Sequence, residues 1–324
     1  MSRGHVMVFG PVVLFATTSA CAQQASARPS GEAPAATAAA VYRRPAPPGT
    51  LVDIGGRRLH VRCTGRVGGP TVVFEAGLSQ FTAQGTYGKA QELIAAFAHV
   101  CVYDRAGLGW SDPAPGPRTH DDMVDDLHRL AVAQRWPGPL VIVGHSIGGL
   151  LARRFVTRFP GSVGGVILAD ATSEEVLFSS AAGDERASLV ARIDAGLRSA
   201  TPGQPVVPMS AGTPPEVMLA FTPEVLAAVK QEYEAIDRAP AAMRATNGYG
   251  RLGDMPLVVI RRGRAATPPN ADDERWRERQ ERLTTLSSRA TLVVAANAGH
   301  VIPYDDPALV AAQVRTVVEA IRAR

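Results

Sequence analysis

Leu140-Val141-Ile142-Val143-Gly144-His145-Ser146-Ile147-Gly148-Gly149-Leu150 is the stretch on which the fold turns. Its first four residues are apolar and mostly β-branched, the composition of a short buried strand. Gly-x-Ser-x-Gly follows, and Leu151-Ala152-Arg153-Arg154-Phe155-Val156 then has helical spacing. A strand that enters a helix through so tight a turn strains the serine backbone. It presents the hydroxyl at the head of a sheet, beside the positive end of the helix. Gly144 and Gly148 leave room for the crossing backbone. Short glycine patterns arise by chance, but a strand before and a helix after make this one specific. Ser146 is the candidate nucleophile.

On the N-terminal side, Leu51-Val52-Asp53-Ile54 and Arg58-Leu59-His60-Val61-Arg62-Cys63 flank Gly55-Gly56 and predict a hairpin. Thr71 to Glu75 and Val100 to Asp104 predict buried strands, with a helix over Gly88 to Ala98 between them, its apolar positions Leu93, Ile94 and Phe97. The glycine-rich loop Arg105 to Pro113 lacks the Lys-Ser/Thr ending of a phosphate-binding loop. Thr119-His120-Asp121-Asp122 opens a helix with a capping box. A metal set of His120, Asp121, Asp125 and His128 competes there with a capped, solvated helix face, which accounts for the same residues.

On the C-terminal side, Val163 to Asp170 predicts a further strand ending in an acid. Helical segments such as Pro223 to Ala235, separated by Pro/Gly-rich breaks, then run to about Gly250 without an obvious strand. Pro256 to Ile260 and Thr291 to Ala295 resume the strands around a helix over Glu274 to Leu286. Gly299-His300 comes directly after the last strand, and Pro307 to Ala323 predicts a closing amphipathic helix. Alternating strands and helices imply a mostly parallel α/β sheet whose ligands sit beyond the strand C-termini. Leu78, Ser146, Asp170 and His300 all stand at such ends.

With 324 residues, the chain is long enough to bury a sizeable core. Its formal net charge of +4 is small, and its basic residues, nearly all Arg, are scattered, which is no nucleic-acid footprint. Nothing in the sequence implies a metal, nucleotide or other cofactor. Arg3 and His5 precede an apolar run, Val6 to Ala16, too short to span a bilayer, and Ala20-Cys21-Ala22 supplies a cleavage site. Residues 1–22 therefore read as a signal peptide, with acylation of Cys21 ranked below plain cleavage. Residues 23–48 read as a flexible tether, 49–170 with 251–324 as the sheet domain, and 171–250 as a helical cap. Such a chain is secreted or periplasmic, without an integral membrane span once mature. Cys63 and Cys101 then remain as an even pair in an oxidising compartment, a disulfide or else two buried thiols.

From about Leu51 the chain resembles the α/β-hydrolase superfamily, in its cap-bearing esterase and proline-iminopeptidase-like branch. The matching stretches are Val73 to Leu78, Tyr103 to Ser111, Gly144 to Gly149 and Ala298 to His300. The order serine, acid, histidine is that family's order. The resemblance implies an eight-stranded sheet with an inserted helical cap. It implies that His300 is the base for Ser146, with oxyanion donors at Ile147 and Leu78. The family's usual acid position, after Leu257 to Ile260, holds no carboxylate before Asp272 and Asp273. Some members use the acid that ends the preceding strand, here Asp170, which is preferred over Asp272, Asp273 and Glu174. The implied second strand lies beside the fourth, which would let Cys63 and Cys101 bond.

The leading expectation is a serine hydrolase acting on small to medium carboxylic esters. A proline-iminopeptidase-like aminopeptidase would need Glu174, Glu232 or Glu234 to hold a free α-amine. A non-catalytic binding protein of the same fold has no need of Ser146, His300 and an acid together. Epoxide hydrolase and haloalkane dehalogenase chemistry need a carboxylate at the elbow, where this chain has Ser146.

Overall fold

A computed structural model of the chain describes residues 42–78, 82–210, 212–264 and 270–323. The expected signal peptide, and residues 23–41 of the expected tether, lie outside them. Residues 42–48 run along the folded body. The Tyr42 N–H donates to Gln204 Oε1 at 2.9 Å, and Trp110 Nε1 donates to the Pro45 carbonyl at 2.9 Å.

The chain runs β1 (Thr50–Asp53), β2 (Arg58–Thr64), β3 (Thr71–Glu75), α1 (Ala83–Ala95), β4 (His99–Tyr103), α2 (His120–Ala133), β5 (Leu140–His145), α3 (Gly148–Arg158) and β6 (Val163–Ala169). Five helices follow: α4 (Glu174–Leu177), α5 (Ser180–Leu197), α6 (Pro215–Leu219), α7 (Pro223–Asp237) and α8 (Ala241–Arg244). Then come β7 (Leu257–Arg262), α9 (Ala271–Leu283), a 3₁₀ turn (Thr284–Leu286), β8 (Ala290–Ala295), α10 (Ile302–Asp305) and α11 (Pro307–Arg322). The strands form one eight-stranded sheet in the order β1-β2-β4-β3-β5-β6-β7-β8. Its first two pairings are antiparallel and the rest are parallel.

Every residue of β3, β4 and β5 is buried, because helices cover both faces of the parallel part. The period of two assigns alternate side chains to opposite layers. Leu140 and Ile142 pack with Met123 and Leu127 of α2 and with Leu151 and Phe155 of α3. Val141 and Val143 pack with Tyr87 and Ile94 of α1 and with Val314 and Val317 of α11. A third apolar cluster joins the insert to the sheet domain, with Leu219, Leu226 and Tyr233 of the insert against Ile147 and Leu150 of the elbow. Among the described residues, no strand lies between β6 and β7, and no helix is long and apolar enough to cross a membrane.

In the β2–β4 pairing Cys63 stands opposite Cys101, and the two sulfurs are bonded. Two helices depart from expectation: the one anticipated over Glu274 to Leu286 starts at Ala271, capped by Asn270, and gives way to the 3₁₀ turn after Leu283. The helix anticipated over Gly88 to Ala98 spans Ala83–Ala95, because the Thr82 hydroxyl caps it by accepting from the Gly85 N–H at 3.1 Å. Gly85 and Gly88 hide that first turn from a propensity reading. The buried face is Ala83, Tyr87, Ala90, Gln91 and Ile94, while Leu93 points to solvent.

Candidate active site

The turn between β5 and α3 holds Ser146 at φ 54°, in the left-handed region that non-glycine residues seldom occupy. Two carbonyls hold it there: the Ser146 N–H reaches the Ala169 carbonyl at 3.4 Å, and the Ser146 carbonyl accepts from Gly149 and Thr172 at 3.0 Å each. The approach of the strands demands glycine. A Cβ on Gly148 would lie 2.0 Å from the Glu75 carbonyl oxygen, and one on Gly144 2.6 Å from the Gly148 carbonyl oxygen. The Ser146 hydroxyl faces the Thr172 hydroxyl at 3.5 Å.

Past the end of β8, His300 points its Nδ1 at Asp170 Oδ2, 2.8 Å away. Asp170 follows β6, at φ 45°, and its side chain is wholly buried. Its carboxylate collects four donors. Oδ1 accepts from the Arg262 backbone N–H at 3.0 Å and from Trp276 Nε1 at 2.9 Å. Oδ2 accepts from Arg262 Nη1 at 2.9 Å and from His300. Burial pushes the Asp170 carboxyl up, but the His300 bond, the Arg262 charge and the Trp276 bond outweigh it and hold the group below the usual carboxylate range. An ionised carboxylate at that distance accepts the His300 Nδ1–H, which leaves Nε2 without a proton in the neutral ring.

The other acids weighed from the sequence go elsewhere. Asp272 pairs with Arg275, and Asp273 caps the Asn270 N–H at 3.2 Å. Glu174 forms a two-bond pair with Arg153, at 2.8 and 3.1 Å. The alternative metal set is likewise engaged. His120 Nδ1 lies 2.5 Å from the Tyr249 hydroxyl, Asp121 and Asp125 pair with Arg154 and Arg158, and His128 stacks on Phe159.

Of the expected backbone donors, Ile147 adjoins the serine in the chain, and Leu78 follows Gly77, which packs against it. A Cβ on Gly77 would come 3.1 Å from Ser146 Cβ. His145 ties this loop to His300. The Gly77 N–H donates to the Tyr87 hydroxyl at 3.2 Å, Tyr87 donates to His145 Nδ1 at 3.2 Å, and His145 Nε2–H donates to the His300 carbonyl at 2.9 Å. This chain assigns the neutral Nε2–H tautomer to His145. Burial, helped by His300, pushes the His145 imidazole down to about 3. His145 therefore holds other groups in place and does not titrate near neutrality.

His120 is similar, pushed down to about 4 by burial and the Arg105 charge. In the unfolded chain both imidazoles titrate near 6.5. Below that pH the unfolded state binds protons that the fold refuses. Stability is therefore full above about pH 6.5 and is lost as pH falls toward the folded values. Urea titrations at pH 7 and pH 5 should differ by roughly 2 kcal/mol for each buried histidine. Equal stability at the two pH values would mean that these imidazoles accept protons inside the fold.

Sequence reading missed Trp276, Arg262 and Thr172. Arg262 also stacks its guanidinium over the Trp276 ring, 4.5 Å from the centroid, so the two brace each other against Asp170. A signal did exist. Trp276 stands in Ala-Asp-Asp-Glu-Arg-Trp-Arg-Glu-Arg-Gln-Glu-Arg-Leu, a helix otherwise almost wholly charged, where a lone aromatic residue has to be buried against something.

Comparison with known proteins agrees with this architecture. A family model described as the alpha/beta hydrolase family matches residues 72–313. An AB hydrolase superfamily protein of Gibberella zeae is 25% identical over 286 residues, covering 78% of this chain and 87% of that protein. Two longer relatives match over shorter stretches, and the chain spans only 15% and 18% of their lengths. Among solved structures, a thermophilic esterase from Thermogutta terrifontis superposes with a TM-score of 0.61 at 22% identity, covering 82% of this chain and 94% of that one. Epoxide hydrolases from hot-environment metagenomes superpose at 0.63 and 19% identity, covering 83% and 97%. At such identities the likeness is one of fold.

Proposed function

The chain belongs to the alpha/beta hydrolase family, and from that membership we propose that it is a serine hydrolase cleaving small to medium carboxylic esters through an acyl-enzyme. The observation that carries this reading is the His300–Asp170 pair, at 2.8 Å around a wholly buried carboxylate, tied through His145 to the strained turn that holds Ser146.

In this reaction Ser146 Oγ attacks the ester carbonyl while His300 Nε2 takes its proton. The carbonyl oxygen gains the negative charge and is met by the backbone N–H groups of Leu78 and Ile147, which are fixed before the charge develops. Collapse expels the alcohol, protonated by His300. Water, deprotonated by the same nitrogen, then releases the acid and restores Ser146. Asp170 holds the imidazole in the productive tautomer and stabilises its cationic form. Leu78 and Phe178, part-buried at the edge of the apolar cluster around Ile147 and Leu150, offer apolar surface to an acyl or alcohol chain.

The aminopeptidase reading would have to draw an anchor out of an existing ion pair. Its three candidate carboxylates are paired already: Glu174 with Arg153, Glu232 with Arg105, and Glu234 with Arg238. Opening of an epoxide in this fold starts from a carboxylate nucleophile, and the elbow carries Ser146. Export is our reading of the leader pattern, and the Cys63–Cys101 bond suits an oxidising compartment.

A p-nitrophenyl ester series from acetyl to palmitoyl, with intact-mass detection of a fluorophosphonate adduct on Ser146, tests the proposal. Turnover should peak at short or medium chains, with one adduct per protein. No ester turnover, with an adduct on Ser146 and release of naphthylamine from proline β-naphthylamide, would hand the site to the aminopeptidase reading. Silence on all three would leave a binding protein.

A further inference from the structure

Arg105, just beyond β4, is 3% exposed, and each of its five N–H donors has its own acceptor. Nη1 donates to Glu75 Oε1 at 2.9 Å and to the Ala76 carbonyl at 2.7 Å. Nη2 donates to the Gly77 carbonyl at 2.8 Å and to Glu232 Oε2 at 2.9 Å. Nε donates to Glu232 Oε1 at 2.5 Å. The Tyr103 hydroxyl completes the cluster by donating to Glu75 Oε2 at 2.6 Å. Burial opposes the Arg105 charge, but Glu232 and Glu75 more than offset it and keep the guanidinium protonated. One planar fork therefore grips the end of β3, two successive carbonyls of the loop after it, and helix α7 of the cap.

The consequence lies in the peptide geometry. In a planar trans peptide the C=O and N–H point in opposite directions. The Gly77 carbonyl is drawn to Arg105, so the N–H of the same peptide unit, that of Leu78, points away from it. Gly77 itself lies against Ser146 and His145. We propose that Arg105 is a positioning residue that sets the direction of the Leu78 N–H, and that Glu232 holds Arg105 in place. Seating of the cap is thereby coupled to stabilisation of the oxyanion. The catalytic part rests on the ester-hydrolase reading above. A donor works only if it is aimed before charge develops, and an arginine that loses one of two buried carboxylates has reason to turn toward the other.

The test uses the full chain with Glu232→Gln, which keeps the side-chain shape but removes the charge and sets an amide N–H₂ against an arginine donor. Arg105→Lys, which keeps a charge but lacks the fork, is the companion variant. Both should lower kcat on p-nitrophenyl esters by about 10- to 100-fold, less than the loss of a whole oxyanion donor, with KM within about twofold. Hydrogen–deuterium exchange should speed up several-fold in the peptide covering Ala76 to Leu78, with β5 and β6 unchanged. Unchanged exchange at Ala76 to Leu78 in both variants would overturn the proposal. So would faster exchange spread evenly through the sheet, the mark of a merely structural ion pair. Should the wild type hydrolyse no ester, the ester-hydrolase reading falls, while the exchange measurement still decides whether Glu232 and Arg105 orient the loop.

Discussion

Ser146→Ala should remove ester hydrolysis, lowering kcat by on the order of 10⁵ to 10⁶ while the protein folds and melts as before. The size follows from what is lost. Without Oγ no acyl-enzyme forms, and what remains is background attack by water near the oxyanion donors. The stability expectation is equally specific. Alanine at φ 54° meets the same backbone restriction as serine, and the hydroxyl's nearby partner is a single Thr172 oxygen at 3.5 Å. Its removal leaves no tightly bonded group stranded, so chemical denaturation should shift by less than about 1 kcal/mol. Steady-state kinetics and intact-mass labelling with a fluorophosphonate read the outcome together. Turnover in the variant within tenfold of wild type would mean that another residue attacks the ester, and the site would have to be reassigned.

Asp170→Asn should lower kcat by about 10³ to 10⁴. The carboxylate now presents two acceptor oxygens to four donors, and an asparagine offers one oxygen and one N–H₂. If the amide nitrogen faces His300, the imidazole must present a lone pair at Nδ1, and its proton moves to Nε2, where it blocks the base. If the amide flips, the nitrogen meets the Arg262 N–H and Trp276 Nε1. Either way a buried donor goes unsatisfied, at a cost of about 1 to 3 kcal/mol, so this variant should lose stability where Ser146→Ala does not. The comparison is the double change Asp272→Asn/Asp273→Asn, whose carboxylates serve Arg275 and the helix cap and should leave kcat within about twofold. If that variant loses as much activity as Asp170→Asn, the assignment of the acid is wrong.

Much of this was legible in the chain, and each miss has a physical cause. The elbow, the strand alternation and the histidine after the last strand are local patterns, each contained in about a dozen residues. The extent of α1 was misjudged because Gly85 and Gly88 weaken the helical pattern, while the Thr82 cap and the burial of Tyr87 that override it are tertiary and capping effects. Which carboxylate meets His300 stayed open for a different reason. Asp170, Asp272, Asp273 and Glu174 are chemically alike, and their distance along the chain from residue 300 says nothing about distance in space.

By itself, then, the sequence determined the α/β architecture, a serine at the elbow and a histidine after the last strand. These are written in periodicity and turn chemistry, which act between near neighbours. Only the tertiary structure decided that His300 meets Asp170, that Arg262 and Trp276 brace that acid, and that Arg105 joins Glu75 to Glu232. Those contacts close loops of 130, 92, 106 and 127 residues. Sheet order and the docking of helices α4 to α8 choose such partners, through burial of the whole core, and no local preference along the chain encodes them.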